Sequence, residues 1–449
     1  MYNALSGRDI RGSLEKAVAS EAWSHSQLTE YRLGAIRKLV QSAMATVPFY
    51  SERYSAAGLD SSQDIRTLAD FASLPTVTKD DLRVQTERFL SSSRGKLKYH
   101  STSGSTGSPL VYPTDRVTDA SNAASLWQGF RWHGVSPIDR SLYLWGSPTY
   151  LALAGKPSVR GVGKLLTIRA KNWMMNRSFH SIYSLGPSTY DKISAEILEG
   201  KIVYMRGMAS ALAAYARYVD NCGQSIPPGR LRAVWSCCEL LLDSDRALIK
   251  RALGVETRNT YGLSELGEVA MEGSCGALHT MDYSVYAEND DGQGWEGNEP
   301  GDGGAPPEII LTHFKNYSSP LIRYRSGDLG EVQSVESSPC ECNHSYGSIT
   351  SINGRRHDVI KTGDGKAVHG QTFSHIVQRY PGITRFSVHQ YSLESYLVRV
   401  SGSPNDSELA SLKRDLSQVL PGQIEIRETA TLPTGKHRWI TSDVKDSHT

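Results

Sequence analysis

Three short apolar runs, SLYLWGS (141–147), KIVYMRG (201–207) and LRAVWSC (231–237), alternate with stretches whose apolar residues recur at helical spacing. The helical stretch ASALAAYARYVD follows the second run, and SDRALIKRALG follows the third. Apolar runs without polar alternation read as strands buried on both faces, and intervening helices join parallel strands by crossovers. The pattern predicts an α/β fold with a largely parallel sheet between about residues 99 and 335. In such sheets the loops leaving the carboxyl ends of the strands bind ligands.

The flanks differ from this centre. The first hundred residues are mostly helical in pattern, and SQLTEYRLGAIRKLVQSAMATVPFY is a helix that stops at Pro48. The segment 288–307, ENDDGQGWEGNEPGDGGAPP, has the turn chemistry of a solvated loop and leads into the strand EIILTHF. After Gly354 the chain predicts a hairpin (RFSVHQYSLESYLVRVSG), a helix (DSELASLKRDLSQVL) and a strand (QIEIRETA), a small α+β domain. The expected division is a large domain over 1–353, of which 1–95 is a mainly helical lead-in, and a small domain over 354–449. No internal repeat is visible.

A formal net charge of +2 over 449 residues argues against nucleic acid or a membrane surface held by bulk electrostatics. The first residues lack the apolar run of a signal peptide, and no segment reaches bilayer-spanning length, so a cytoplasmic protein is expected. Six cysteines in that setting point to thiols or a metal site.

The stretch YHSTSGSTGSPLVYP (99–113) carries the densest run of hydroxyls and glycines. Gly104 and Gly107 permit close approach to the main chain, and successive N–H groups in such a turn make an anion-binding concavity. Thr102, Ser103, Ser105 and Thr106 add hydroxyl donors. With no Lys it is not the GxxxxGK[ST] nucleotide loop. A flexible linker and a phosphate cradle remain equally compatible with this composition.

Four further motifs follow in order: YGLSE (261–265), PLIRYRSGDLG (320–330), INGRRHDVI (352–360) and LPTGKHR (432–438). The ordered set resembles the ANL adenylate-forming superfamily, and most closely its phenylacetate–CoA ligase-like branch, over about residues 45–438. The resemblance implies a large ATP- and acyl-binding N-terminal domain and a small mobile C-terminal domain. It also implies activation of a carboxylic acid by ATP to an acyl-adenylate, with release of pyrophosphate. Transfer to coenzyme A then follows. An amine or a carrier-protein thiol is the alternative acceptor, and a non-catalytic binding protein on the same fold is a third reading.

By this resemblance Ser103, Gly104, Ser105, Thr106 and Gly107 embrace the β- and γ-phosphates, with Leu110 where many relatives have Lys. Tyr261 stacks on adenine beside Gly262, Ser264 donates to the α-phosphate, and Glu265 holds Mg²⁺. Glu239 of SCCEL stands where relatives have an acid beside the purine, preceded by Cys237 and Cys238 in place of small residues. Asp328 accepts the ribose hydroxyls and Arg355 helps hold ribose or phosphate. Lys436 matches the catalytic Lys that bridges carboxylate and α-phosphate, so Lys436, Thr106 and Glu265 form the catalytic set. His357 precedes Asp358 at the hinge, where most relatives have Asp or Lys. Trp145, Tyr150, Met208 and Trp235 are the candidate acyl pocket, with Arg206 and His133 as groups for a second acidic or polar function.

Cys275 and His279 (Cys-x₃-His) together with Cys340 and Cys342 (Cys-x-Cys) make a ligand set suited to a structural tetrahedral Zn²⁺, with His344 as a substitute. Some phenylacetate-type relatives have Cys and His at matching positions. Unrelated free thiols are the alternative. Expected partners are a small carboxylic acid, ATP with Mg²⁺, and coenzyme A or another acceptor; a homodimer is compatible with the sequence.

Overall fold

The structure is a computed structural model. It describes residues 7–101, 110–146, 159–290, 306–333, 341–342, 344–355, 359–363, 367–377, 379–430 and 439–444. The chain enters through helices α1 (Ile10–Ala19), α2 (His25–Thr46), α3 (Pro48–Ala56), α4 (Leu68–Ala72) and α5 (Lys79–Val84). Helix α2 opens on a capping box between Ser24 and Gln27. Pro48 does more than end α2: it is the first residue of α3, where a missing N–H leaves no bond unmade.

A hairpin of β1 (Lys98–Ser101) and β2 (Val111–Thr114) follows, then α6 (Arg116–Arg131), β3 (Ser141–Trp145), α7 (Val159–Met174), β4 (Arg177–Ser181) and α8 (Pro187–Leu198). Next come β5 (Tyr204–Met208), α9 (Ala209–Asn221), β6 (Ala233–Cys237), α10 (Asp243–Leu253) and β7 (Thr257–Leu263). Strand β5 starts three residues later than its apolar run. Strands β4, β3, β5, β6 and β7 lie side by side and parallel, as the alternation predicts. Beyond β7 the sheet turns antiparallel through β8 (Gly267–Glu272) and β9 (Leu278–Thr280). The remaining strands are β10 (Val285–Asn289), β11 (Glu308–His313), β12 (Tyr324–Gln333) and β13 (Ser348–Arg355). Eleven described strands run in the order β10-β11-β12-β13-β9-β8-β7-β6-β5-β3-β4.

Successive strand residues point to opposite faces, so each apolar run feeds two cores. On one face Leu142, Leu144, Met205 and Val234 pack with Leu212 and Tyr215 of α9 and Ile249 of α10. On the other, Tyr143, Tyr204 and Trp235 pack with Phe130 of α6 and Met271 of β8. A Cβ at Gly207 would lie 3.0 Å from Leu144 Cβ and 3.1 Å from Leu212 Cγ, so the absence of a side chain there lets β3, β5 and α9 pack closely.

The chain divides into two compact units: 1–288 with 310–326 and 332–350, and 289–309 with 327–331 and 351–449. The second holds β14 (Val359–Lys361), β15 (Ala367–His369), α11 (Gly370–Val377), β16 (Ile383–Ser392), β17 (Ser395–Gly402), α12 (Asp406–Ser417), β18 (Gln423–Glu428) and β19 (Ile440–Ser442). The antiparallel hairpin β16–β17 is flanked by parallel β19 and β18, and Phe373, Leu412 and Leu416 of the helices pack on Val388, Val398 and Ile424. Among the described residues no helix is long and apolar enough to cross a membrane.

Candidate active site

The hydroxyl–glycine stretch, Ser103 to Gly107 included, lies outside the described residues, but its two ends do not. Ser101 pairs with Val111 and Lys98 with Thr114, so the stretch connects the arms of one hairpin. On the β2 arm, Tyr112 and Pro113 line a cavity with Glu265, Asn316 and Ser319.

Glu265 is the acidic member of that lining. It is 5% exposed and accepts a 2.9 Å hydrogen bond from the Tyr324 hydroxyl. Burial pushes the Tyr112 phenol well above its usual range, and the Glu265 charge adds to the effect. Glu265 follows β7, whose end carries Tyr261, 7% exposed, and the exposed Gly262. The β7–β8 ladder is irregular between Tyr261 and Gly262, and a Cβ at Gly262 would meet the Gly267 carbonyl at 2.5 Å. Ser264 is exposed. Tyr261, Gly262, Ser264 and Glu265 thus share one strand-to-turn segment, and Glu265 also shares its cavity with β2.

At the end of β6, Glu239 accepts a 2.8 Å hydrogen bond from the Ser210 N–H, which ties that end to the first turn of α9. Cys238 is exposed, with φ of +69°, a backbone region that favours the Gly found in relatives. Cys237 is buried and its thiol donates to the Gly207 carbonyl at 3.2 Å. Burial pushes that thiol far up, so it packs as a small neutral group.

Asp328 is half-buried on β12 and Arg355 ends β13; both belong to the second unit, with the Arg355 side chain outside the described set. In that unit Gly327 N–H donates 2.8 Å to Glu308 and fixes the backbone next to Asp328. Lys436, Tyr150 and His357 lie outside the described residues.

Of the candidate acyl residues, Trp145 packs against the core that holds Trp235, while Met208 lies in the core on the other face of the sheet. Trp235 is fully buried, its ring 4.1 Å from Phe130, and Met208 is buried in the core that faces α9. Trp145 is half-buried at the end of β3, with the Arg206 guanidinium 5.4 Å above its ring. Arg206 pairs with Glu268 of β8, and His133 contacts the Glu272 carbonyl at 2.7 Å. Neither is left open to clamp a second acid. Sequence reading missed Glu268, Tyr324 and Arg323; buried Arg323, at φ of +49°, pairs with Glu288 at 3.0 Å and donates to the Ala72 and Leu74 carbonyls.

A second cluster lies at the β8–β9 turn. The ligating atoms of Cys275, His279 and Cys342 all fall within 4.8 Å of one another, with Cys275 Sγ 3.2 Å from His279 Nε2. Pairing of β13 with β9, Ser348 opposite His279, brings the distant Cys342 into range. Gly273 is required here, because a Cβ would sit 2.9 Å from both Cys342 Sγ and the His279 ring. Burial lowers the His279 pKa, which suits a neutral ligand. His344 meets His279 edge-on, with ring centroids 4.3 Å apart, without joining the set, and Cys340 lies outside the described residues. Two thiols and one imidazole at these separations fit a zinc ion's donor preferences.

No family model matches the chain. Protein CapK of Staphylococcus aureus is 24% identical over 316 residues, 70% of this chain and 65% of that protein, so the chain spans just under two thirds of its length. Phenylacetate-coenzyme A ligase of Pseudomonas putida is 24% identical over 361 residues, 76% of this chain and 73% of that enzyme. Among solved structures, a 2-hydroxyisobutyryl-CoA ligase in its postadenylation state superposes with TM-score 0.71 at 16% identity, over 95% of this chain and 91% of that one. The fold is that of the AMP-forming acyl-CoA ligases. In sequence the chain is similar to phenylacetate-coenzyme A ligase and to CapK, and it shares the fold of the 2-hydroxyisobutyryl-CoA ligase.

Proposed function

We propose that the protein activates a small or aryl carboxylic acid with ATP to an acyl-adenylate and passes the acyl group to coenzyme A. The observation that carries this reading is the buried Glu265 carboxylate in a cavity it shares with the arm of the Ser/Gly hairpin. A phosphate-binding loop beside a carboxylate is what a Mg²⁺–nucleotide complex requires. Mg²⁺ bound there supplies charge neutralisation on the phosphates.

The chain's own groups take the remaining roles. Ser103, Gly104, Ser105, Thr106 and Gly107 donate to the β- and γ-phosphates and Ser264 to the α-phosphate. Tyr261 and the Glu239 backbone flank adenine, while Asp328 and Arg355 hold the ribose. Lys436 steadies charge as the carboxylate oxygen attacks phosphorus and pyrophosphate departs. Trp145 forms part of the acyl wall. Cys275, His279 and Cys342, with Cys340 as fourth ligand, hold a structural zinc ion away from this chemistry.

Thioester formation tests the acceptor: incubation with ATP, Mg²⁺, acid and coenzyme A yields acyl-CoA and AMP. Turnover that ignores coenzyme A but needs an amine or a carrier thiol replaces this acceptor with the alternative.

A further inference from the structure

On the sheet face that carries Tyr143 and Trp235 the chain buries an ion pair. Arg206, on β5 between Tyr143 of β3 and Trp235 of β6, is 7% exposed and pairs with Glu268, three residues past Glu265. Its guanidinium lies over the half-buried Trp145. One Arg206 nitrogen, Nε, is buried and has no hydrogen-bond partner among the described residues. A buried donor without an acceptor is costly, and such groups are rare unless a ligand or water completes them.

We infer that Arg206 and Glu268 set substrate choice, selecting a carboxylic acid that carries a neutral oxygen acceptor, a hydroxyl, ether or carbonyl, over its unsubstituted counterpart. This inference rests on the proposed acyl site at the ends of β3 and β5. Arginine offers donors only, so the complementary group is an acceptor. A second carboxylate is disfavoured, because Glu268 already neutralises the guanidinium and a further buried charge would stand uncompensated. A cationic amine is disfavoured by Arg206 itself. A purely apolar acid fits Trp145 but leaves Nε unpaired. Sites built to bond a substrate oxygen reject the analogue lacking it by far more than a pocket distinguishes a methylene.

Matched acids test it with the full-length protein: phenylacetate against 4-hydroxyphenylacetate, and isobutyrate against 2-hydroxyisobutyrate. Two readouts are taken, ATP-dependent pyrophosphate release and direct acid binding by tryptophan fluorescence without ATP. The expected result is that at least one oxygenated acid exceeds its partner by roughly tenfold or more in kcat/KM and in affinity. The Arg206→Met/Glu268→Met double variant, which removes both charges together, is expected to lose that preference. Binding preference without pyrophosphate release keeps this inference and removes the adenylation reading. Equal use of both members of each pair, or preference for the apolar ones, overturns the inference and leaves adenylation standing. If the double variant does not fold, the wild-type pairs still decide.

Discussion

The Tyr324 hydroxyl donates a 2.9 Å hydrogen bond to Glu265, a carboxylate that is 5% exposed. One neutral donor is poor compensation for a buried charge, and a cation nearby is the usual remedy. Glu265→Gln is therefore expected to cut pyrophosphate release about a hundredfold and to weaken its dependence on Mg²⁺. Tyr324→Phe should have a milder effect, raising the Mg²⁺ concentration needed for half-maximal rate. A Glu265→Gln variant with wild-type Mg²⁺ dependence would remove Glu265 from the metal site.

Lys436→Ala is expected to abolish adenylation while leaving ATP binding largely intact, since the ammonium acts on charge that shifts during attack. Calorimetric ATP titration beside a pyrophosphate-release assay reads both halves. An unchanged release rate refutes the role.

The cysteine–histidine cluster predicts about one zinc ion per chain after purification without added metal. Cys342→Ser should lower both the zinc content and the melting temperature, while Cys222→Ser, an exposed thiol outside the cluster, should alter neither. Metal-free native protein would eliminate the site.

Trp235 has no exposed surface and fills the aromatic core against Phe130. Trp235→Ala should cost about 3–5 kcal/mol of stability, seen in denaturant unfolding, and the KM for acids should move little. A large change in acid selectivity at wild-type stability would return Trp235 to the acyl pocket.

Acid should weaken the fold through His313. The ring is buried; its Nδ1 accepts from the Lys315 N–H at 3.2 Å and its Nε2–H donates to Asn122 at 2.8 Å, which fixes the neutral tautomer. Burial, aided by the Lys315 charge, pulls its pKa down to about 4. The unfolded chain binds the proton first, so this contribution is complete above about pH 6.5 and is lost as pH falls towards 4. Unfolding free energies across that window should show the slope, and His313→Gln should flatten it.

Much of the frame was legible in the chain. The runs at 141–147 and 231–237 became β3 and β6, and the hairpin and helix after residue 382 stand as read, because period and turn chemistry are local. What escaped is pairing across distance. Nothing in the spacing of Arg206 and Glu268 tells that β5 and β8 lie in one sheet with their side chains joined. Met208 and Trp235 looked like pocket wall because apolar runs do not reveal which face meets a helix. Cys342 reached Cys275 and His279 only through the pairing of β13 with β9.

The most direct test of the whole account is exchange of labelled pyrophosphate into ATP by the full-length protein with Mg²⁺ and a broad panel of carboxylic acids. The account predicts exchange that requires a particular acid and disappears in Lys436→Ala. Absence of exchange with every acid, or exchange that proceeds equally without one, contradicts it.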